Sequence, residues 1–123
     1  MIDRIRLSAA AKIQLSTLKR KTGIEHYNSI CRHALCLSLA ETSMPPDEEF
    51  NFNGGVEIDW RVFTGGHEEL YLNLLLHRIQ QDGSVASAEN IRKVCACHLH
   101  RGLSYLAGKS DDYLEDAIGQ LLG

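Results

Sequence analysis

Residues able to do chemistry gather at four places in this chain. The first is basic. Arg4 and Arg6 alternate with apolar residues in Ile2-Asp3-Arg4-Ile5-Arg6-Leu7, Lys12 follows, Lys19-Arg20-Lys21 closes the next segment, and Arg32 lies beyond it. Cations in this density suit phosphate groups, which fix a nucleic acid's position without reading its sequence. Three adjacent bases cannot share one helical face, so they read as a cluster at a turn. The plainer reading is cations complementing the negative end of a helix. The second place is Cys95-Ala96-Cys97-His98-Leu99-His100. On a helix the Cys97–His100 pair points about 200° away from Cys95, whereas a structural zinc site needs four converging ligands; no metal site is expected there. The third is Gly65-Gly66-His67-Glu68-Glu69. Acids beside a flexible turn suit acid/base or metal-assisted phosphodiester chemistry, but a capped helix start explains them more simply. The fourth is Cys31 and Cys36, five apart on a helix and therefore on different faces. They read as small buried hydrophobes; a sulfur carrier would need an exposed thiol of lowered pKa. GxSxG, P-loop, GxGxxG and HExxH patterns are absent. No catalytic residue and no cofactor is assigned.

A chain of 123 residues, 44% hydrophobic and 24% charged, has the size and mix of one globular domain. No apolar run approaches the roughly 20 residues of a membrane span. The first residues lack the apolar stretch of a secretory signal, so a cytoplasmic location and four reduced cysteines are expected. The net charge of −3 is unevenly spread. Residues 1–40 hold seven Lys and Arg against two acids, and the remainder six against fourteen. A basic end on an acidic chain points to a localised anionic partner.

The elements that must position these groups are mainly α-helical: four to five helices, a short N-terminal strand and one extended segment near 56–62. One domain over 1–123 is expected, with 1–41 a basic strand–helix–helix and 42–123 an acidic helical remainder. The alternation at the N-terminus predicts a strand with Ile5 and Leu7 on its dry face and Arg4 and Arg6 on its basic one. Ser8 is suited to cap a helix running to about Thr22, with Ala11, Leu15 and Leu18 buried and Gly23 as the left-handed stop. A second helix from about Ile24 to Ala40 is apolar over most of its circumference, which marks Ile30, Leu35, Leu37 and Leu39 as an oligomer interface. Met44-Pro45-Pro46 ends it, before an acidic loop at Asp47-Glu48-Glu49. Val56, Ile58, Trp60 and Val62 alternate as a strand does. Helices follow over His67–Gln81, with Leu70, Leu72 and Leu74 among its buried residues, and over Ser87–Ala107. A short last helix is capped by Ser110.

The order basic strand, helix, helix is that of a ribbon-helix-helix unit, in which two chains pair their strands and the ribbon enters the major groove. Arg4 and Arg6 would then face the bases.

The segment Leu18-Lys19-Arg20-Lys21-Thr22-Gly23-Ile24-Glu25-His26-Tyr27-Asn28, with Cys31-Arg32-His33-Ala34-Leu35-Cys36-Leu37-Ser38-Leu39, resembles the DndE family of DNA sulfur-modification proteins. Gly65-Gly66 leading to Tyr71 and Leu75, and His100-Arg101-Gly102-Leu103-Ser104-Tyr105-Leu106, look like that family's second half. Tyr27 stands where many members have tryptophan. The resemblance implies bacterial DNA phosphorothioation, in which sulfur replaces a non-bridging phosphate oxygen, in a restriction-modification setting. It implies a small homotetrameric DNA-binding protein associated with nicked double-stranded DNA. Its partners would be a cysteine desulfurase, an iron–sulfur PAPS-reductase-like protein and an SMC-like ATPase. Lys19, Arg20 and Lys21 match the family's basic stretch; Arg4, Arg6, Lys12 and Arg32 are added from the charge pattern. The reading leans to a non-catalytic DNA-binding subunit. The alternatives are a ribbon-helix-helix repressor and a nicking nuclease component, since metal sites built from scattered acids leave no motif.

Overall fold

The computed structural model describes residues 2–109. Strand β1 (Arg4–Leu7) is followed by helices α1 (Ala9–Thr22) and α2 (Tyr27–Leu39), strand β2 (Val56–Asp59), and helices α3 (Trp60–Thr64), α4 (Glu68–Gln81) and α5 (Ala88–Ala107). The helix expected after Ser110 lies outside the described residues.

Local signals set the helix ends. The Ser8 hydroxyl accepts the Ala11 N–H at 3.2 Å, and Gly23 closes α1 at φ 72°. Ser87 caps α5 in the same way, through the Asn90 N–H at 3.1 Å. The start of α2 is later than the sequence predicts, at Tyr27. Residues 23–26 form a link whose Ile24 still packs on the core.

Helix α5 is the spine. Ile91, Cys95, Leu99, Leu103 and Leu106 recur on one face and are buried. Helix α2 crosses it so closely that a Cβ on Gly102 would stand 1.9 Å from the Ala34 carbonyl oxygen. Helix α1 and the two-stranded sheet cover other sides of α5. Ile5 and Leu7 point into this core, and Arg4 and Arg6 point out.

Three expectations are corrected. The partner of β1 is β2 of the same chain, antiparallel, with Ile5 opposite Ile58 and Arg6 opposite Glu57. The strand–helix–helix order is therefore present, but its ribbon is closed within one chain. The extended segment near 56–62 stops at Asp59: the Trp60 N–H still donates to the Asp3 carbonyl oxygen at 2.9 Å, and from Trp60 the chain coils into α3. A helix places residues three apart on one face. Trp60 and Phe63 are therefore buried together while Val62 is 52% exposed. On α4, Leu70 and Leu74 are 55% and 37% exposed, because only the Leu75, Arg78 and Ile79 side of this peripheral helix reaches the core.

Candidate nucleic-acid interface

The basic residues of the first forty divide into three settings. Lys12, Lys19, Arg20 and Lys21 are each exposed on α1, the last three around its C-terminal turn. Lys12 and Lys19 are two helical turns apart, about 10 Å along the axis at 1.5 Å per residue. Beneath Lys19 lies the Tyr27 ring, 5.5 Å from the ammonium to the centroid, and the Tyr27 hydroxyl shares a 3.0 Å hydrogen bond with Ser16. The aromatic residue at the start of α2 thus orients a cation at the end of α1. Such a contact contributes about 0.5–1 kcal/mol at an exposed site.

Arg4 and Arg6 occupy the second setting, on the outer face of β1. Both reach Glu57 on the neighbouring strand, at 3.7 and 3.1 Å, and the Arg6 guanidinium also lies 4.8 Å from the Phe52 ring centroid. All three charged side chains are about half exposed. Ion pairs in that environment contribute only about 0–1 kcal/mol, so an incoming phosphate can take the carboxylate's place. The two arginines border a cleft of about 470 Å³ between β1 and the first half of α5, together with Arg92 and Lys93, Glu48, Glu49 and Phe52. The Lys93 ammonium is 2.6 Å from Asp47. The side-chain hydrogen bond that Lys93 donates to Asp47, with the carboxylate's charge, holds the Lys93 pKa above the usual lysine value.

Arg32 occupies the third setting. Its guanidinium is half-buried, donating to the Phe63 carbonyl oxygen at 2.8 Å and to the Ser29 hydroxyl at 3.3 Å. It ties the end of α3 to α2.

Of the residues expected at an oligomer interface, Ile30 and Leu35 are buried inside the chain, at 3% and 0% exposure. Packing against α5, α3 and α1 accounts for this part of the apolar girdle that suggested a second chain. Leu37 and Leu39 are half-buried on the core's margin.

The largest polar arrangement had no motif to announce it. Helix α2 ends over two buried arginines from different helices. Arg101 donates from Nε to the Ser38 hydroxyl at 2.8 Å, and from its other nitrogens to the carbonyl oxygens of Ser38 and Ser43 at 2.7 and 2.9 Å. Arg78 donates to the carbonyl oxygens of Leu39 and Ser43 at 2.9 and 2.8 Å, and pairs with Asp82 at 3.2 Å. Both complement the negative end of the α2 dipole. The Ser38 hydroxyl, already accepting from Arg101, also shares a 2.7 Å hydrogen bond with His98 Nδ1. Burial, then the nearby Arg78 and Arg101, push the His98 pKa down to about 4, so its ring is neutral at physiological pH.

The Cys/His run on α5 disperses. Cys95 enters the core and His98 meets Ser38. His100 donates from Nδ1 to the Ala96 carbonyl oxygen at 2.7 Å and accepts the Ser8 N–H on Nε2 at 3.1 Å, holding the start of α1. Among the described residues no three His, Cys, Asp or Glu side chains converge to hold a metal ion. Burial pushes the Cys31 and Cys95 thiols up to about 12. Glu68 and Glu69 are exposed in the first turn of α4, where the helix dipole favours acids. No helix among the described residues is long and apolar enough to cross a membrane.

Comparison with known proteins agrees with this architecture. No curated protein matches the chain. The fold is similar to the crystal structure of DndE from Escherichia coli B7A, a protein involved in DNA phosphorothioation modification. The TM-score is 0.68 and the sequence identity 24%, over 86% of this chain and 98% of that one. The family model of the DNA sulphur modification protein DndE matches residues 4–112, which include β1, the basic α1, the α2–α5 crossing and the arginine cluster. The chain therefore belongs to the DndE family.

Proposed function

We propose that this chain is a non-catalytic DNA-binding subunit of the bacterial DNA phosphorothioation machinery. It holds the backbone of double-stranded DNA, preferentially at nicks, with little regard for sequence. One observation carries the reading: the four cations of α1 are each exposed and three of them cluster at its C-terminal turn, while the strand that would read bases in a ribbon-helix-helix protein is already paired with β2. Phosphate contacts position a protein on DNA without specifying a sequence. Several copies bringing their Lys19-Arg20-Lys21 ends together make a patch that one chain lacks, which favours a homotetramer. Half-buried Leu37 and Leu39 are the apolar residues of α2 left for its interface. The fold's likeness to a protein involved in phosphorothioation supports that setting, with the SMC-like ATPase, the iron–sulfur protein and the cysteine desulfurase as partners.

The test is a titration on intact, nicked and single-stranded DNA of unrelated sequences at several salt concentrations. Nicked duplex should bind most tightly, whatever its sequence. Lys19→Glu and Lys21→Glu should each weaken binding to every sequence alike and lower the salt slope by roughly 0.9 for each phosphate no longer neutralised. Tight binding to one palindromic sequence alone would establish a repressor instead. Unchanged binding by both lysine variants would remove α1 from the interface.

A further inference from the structure

We infer that the cleft between β1 and α5 is a second phosphate-binding site for the DNA backbone, occupied in the free chain by its own acidic strap at Asp47-Glu48-Glu49; this rests on the DNA-binding reading above. The cleft gathers four cations from elements far apart in sequence: Arg4 and Arg6 of β1, and Arg92 and Lys93 of α5. The last two belong to the acidic part of the chain.

The strap has neither helical nor strand structure, yet it follows one face of α5. The Asp47 carboxylate meets Lys93, the Glu48 backbone bonds the Cys97 thiol, and the Phe50 ring stacks on His100 with centroids 3.8 Å apart and planes at 15°. Positions 93, 97 and 100 repeat at helical spacing, so these contacts form one seam. Glu48 and Glu49 line the cleft with the cations, as does Glu89 of α5, while Arg4 and Arg6 also share Glu57 of β2. Aromatic stacking seats the strap, leaving its carboxylates to act as counterions.

Those carboxylates are weakly held. Asp47 is 79% exposed and Lys93 48% exposed. A pair this solvated contributes about 0–1 kcal/mol. A phosphodiester offers the same cations charge-assisted acceptor oxygens and releases condensed counterions when it binds. Phosphate can therefore replace carboxylate by side-chain rearrangement, with the Phe50–His100 stack left in place. The strap sets an electrostatic threshold: only a polyanion dense enough to outcompete three tethered acids enters.

The experiment compares three full-length proteins on nicked duplex DNA across a salt series. They are the wild type, the variant Asp47→Asn/Glu48→Gln/Glu49→Gln, and a control of equal charge change away from the cleft, Glu41→Gln/Glu68→Gln/Glu69→Gln. The strap variant should bind about tenfold more tightly than the control and show a salt slope steeper by roughly 1–2, at about 0.9 for each additional phosphate neutralised. Adding Arg92→Ala and Lys93→Ala to the strap variant should erase that gain. If wild type binds DNA and the strap variant merely equals the control, or the gain survives loss of Arg92 and Lys93, the cleft is not a phosphate site and the α1 interface stands. If none of the proteins binds DNA, the DNA-binding reading is refuted and this one with it.

Discussion

Replacing Gly102 with alanine sets two effects of opposite sign against each other. In the middle of α5, glycine is the poorer helix former, and alanine should stabilise an unconstrained helix by about 1 kcal/mol. At the α2 crossing, however, the new methyl would lie 1.9 Å from the Ala34 carbonyl oxygen and 2.4 Å from its carbon, where about 3.0 Å is the least a Cβ tolerates. Backbone cannot rotate aside as a side-chain tip does, so α2 and α5 must part by about 1 Å or more. Overpacking of this kind costs about 1–3 kcal/mol. The same displacement stretches the four Arg101 bonds onto α2 and its C-terminal turn, now 2.7–3.1 Å long. Each bond from a charged group contributes about 1.5–3 kcal/mol. Losing one of them, with the overpacking and less the propensity gain, leaves a net loss of about 1.5–5 kcal/mol. For a domain of this size that lowers Tm by roughly 6–20 °C. Thermal unfolding followed by circular dichroism measures it, with far-UV spectra confirming that α5 is intact below the transition. A Tm equal to or above wild type would show that the helices yield freely at this crossing and would refute the packing argument.

His98 predicts an acid-side loss of stability. Its folded pKa of about 4 lies below the ordinary 6.5, so the unfolded chain binds the proton more readily. The stability is fully present above pH 6.5 and is lost as pH falls toward 4. It amounts to roughly 3 kcal/mol over that window. Denaturant midpoints from pH 7.5 to 4 should show this decline, and His98→Asn should flatten it; an equal decline in the variant would assign it to other groups. In the native protein an aromatic disulfide reagent should modify surface-exposed Cys36 first and leave Cys31 and Cys95 untouched until unfolding, because burial keeps both thiols protonated. Rapid modification of Cys95 would contradict its place in the core. Leu35→Asp should unfold the chain, since Leu35 is buried within it, whereas Leu37→Asp should leave a folded protein of lower oligomeric state by light scattering. A folded Leu35→Asp variant would overturn the assignment of that face to the core.

Elements whose ends depend on neighbouring residues were legible in the sequence. Ser8 as a cap, Gly23 as a left-handed stop, and the alternation of Arg4 and Arg6 with Ile5 and Leu7 all act through dihedral preference and contacts within a turn, and all appear in the fold. The family resemblance was legible too, in the run from Leu18 to Leu39. What only the tertiary structure decided depends on residues distant along the chain. The partner of β1 lies some fifty residues away, and β2 gives way at Trp60 to a helix that buries Trp60 and Phe63 together. Arg32 carries the same charge as Lys19, but its guanidinium is half-buried on the Phe63 carbonyl oxygen, thirty-one residues along the chain. Arg78, His98 and Arg101 have no shared motif and meet only because α2 ends over α4 and α5. An apolar residue declares that it will be buried, not against what: Ile30 and Leu35 found their partner inside the chain, and Leu70 and Leu74 were left in water. Burial and charge pairing depend on which surfaces meet, and that is settled by the joint packing of all elements around α5.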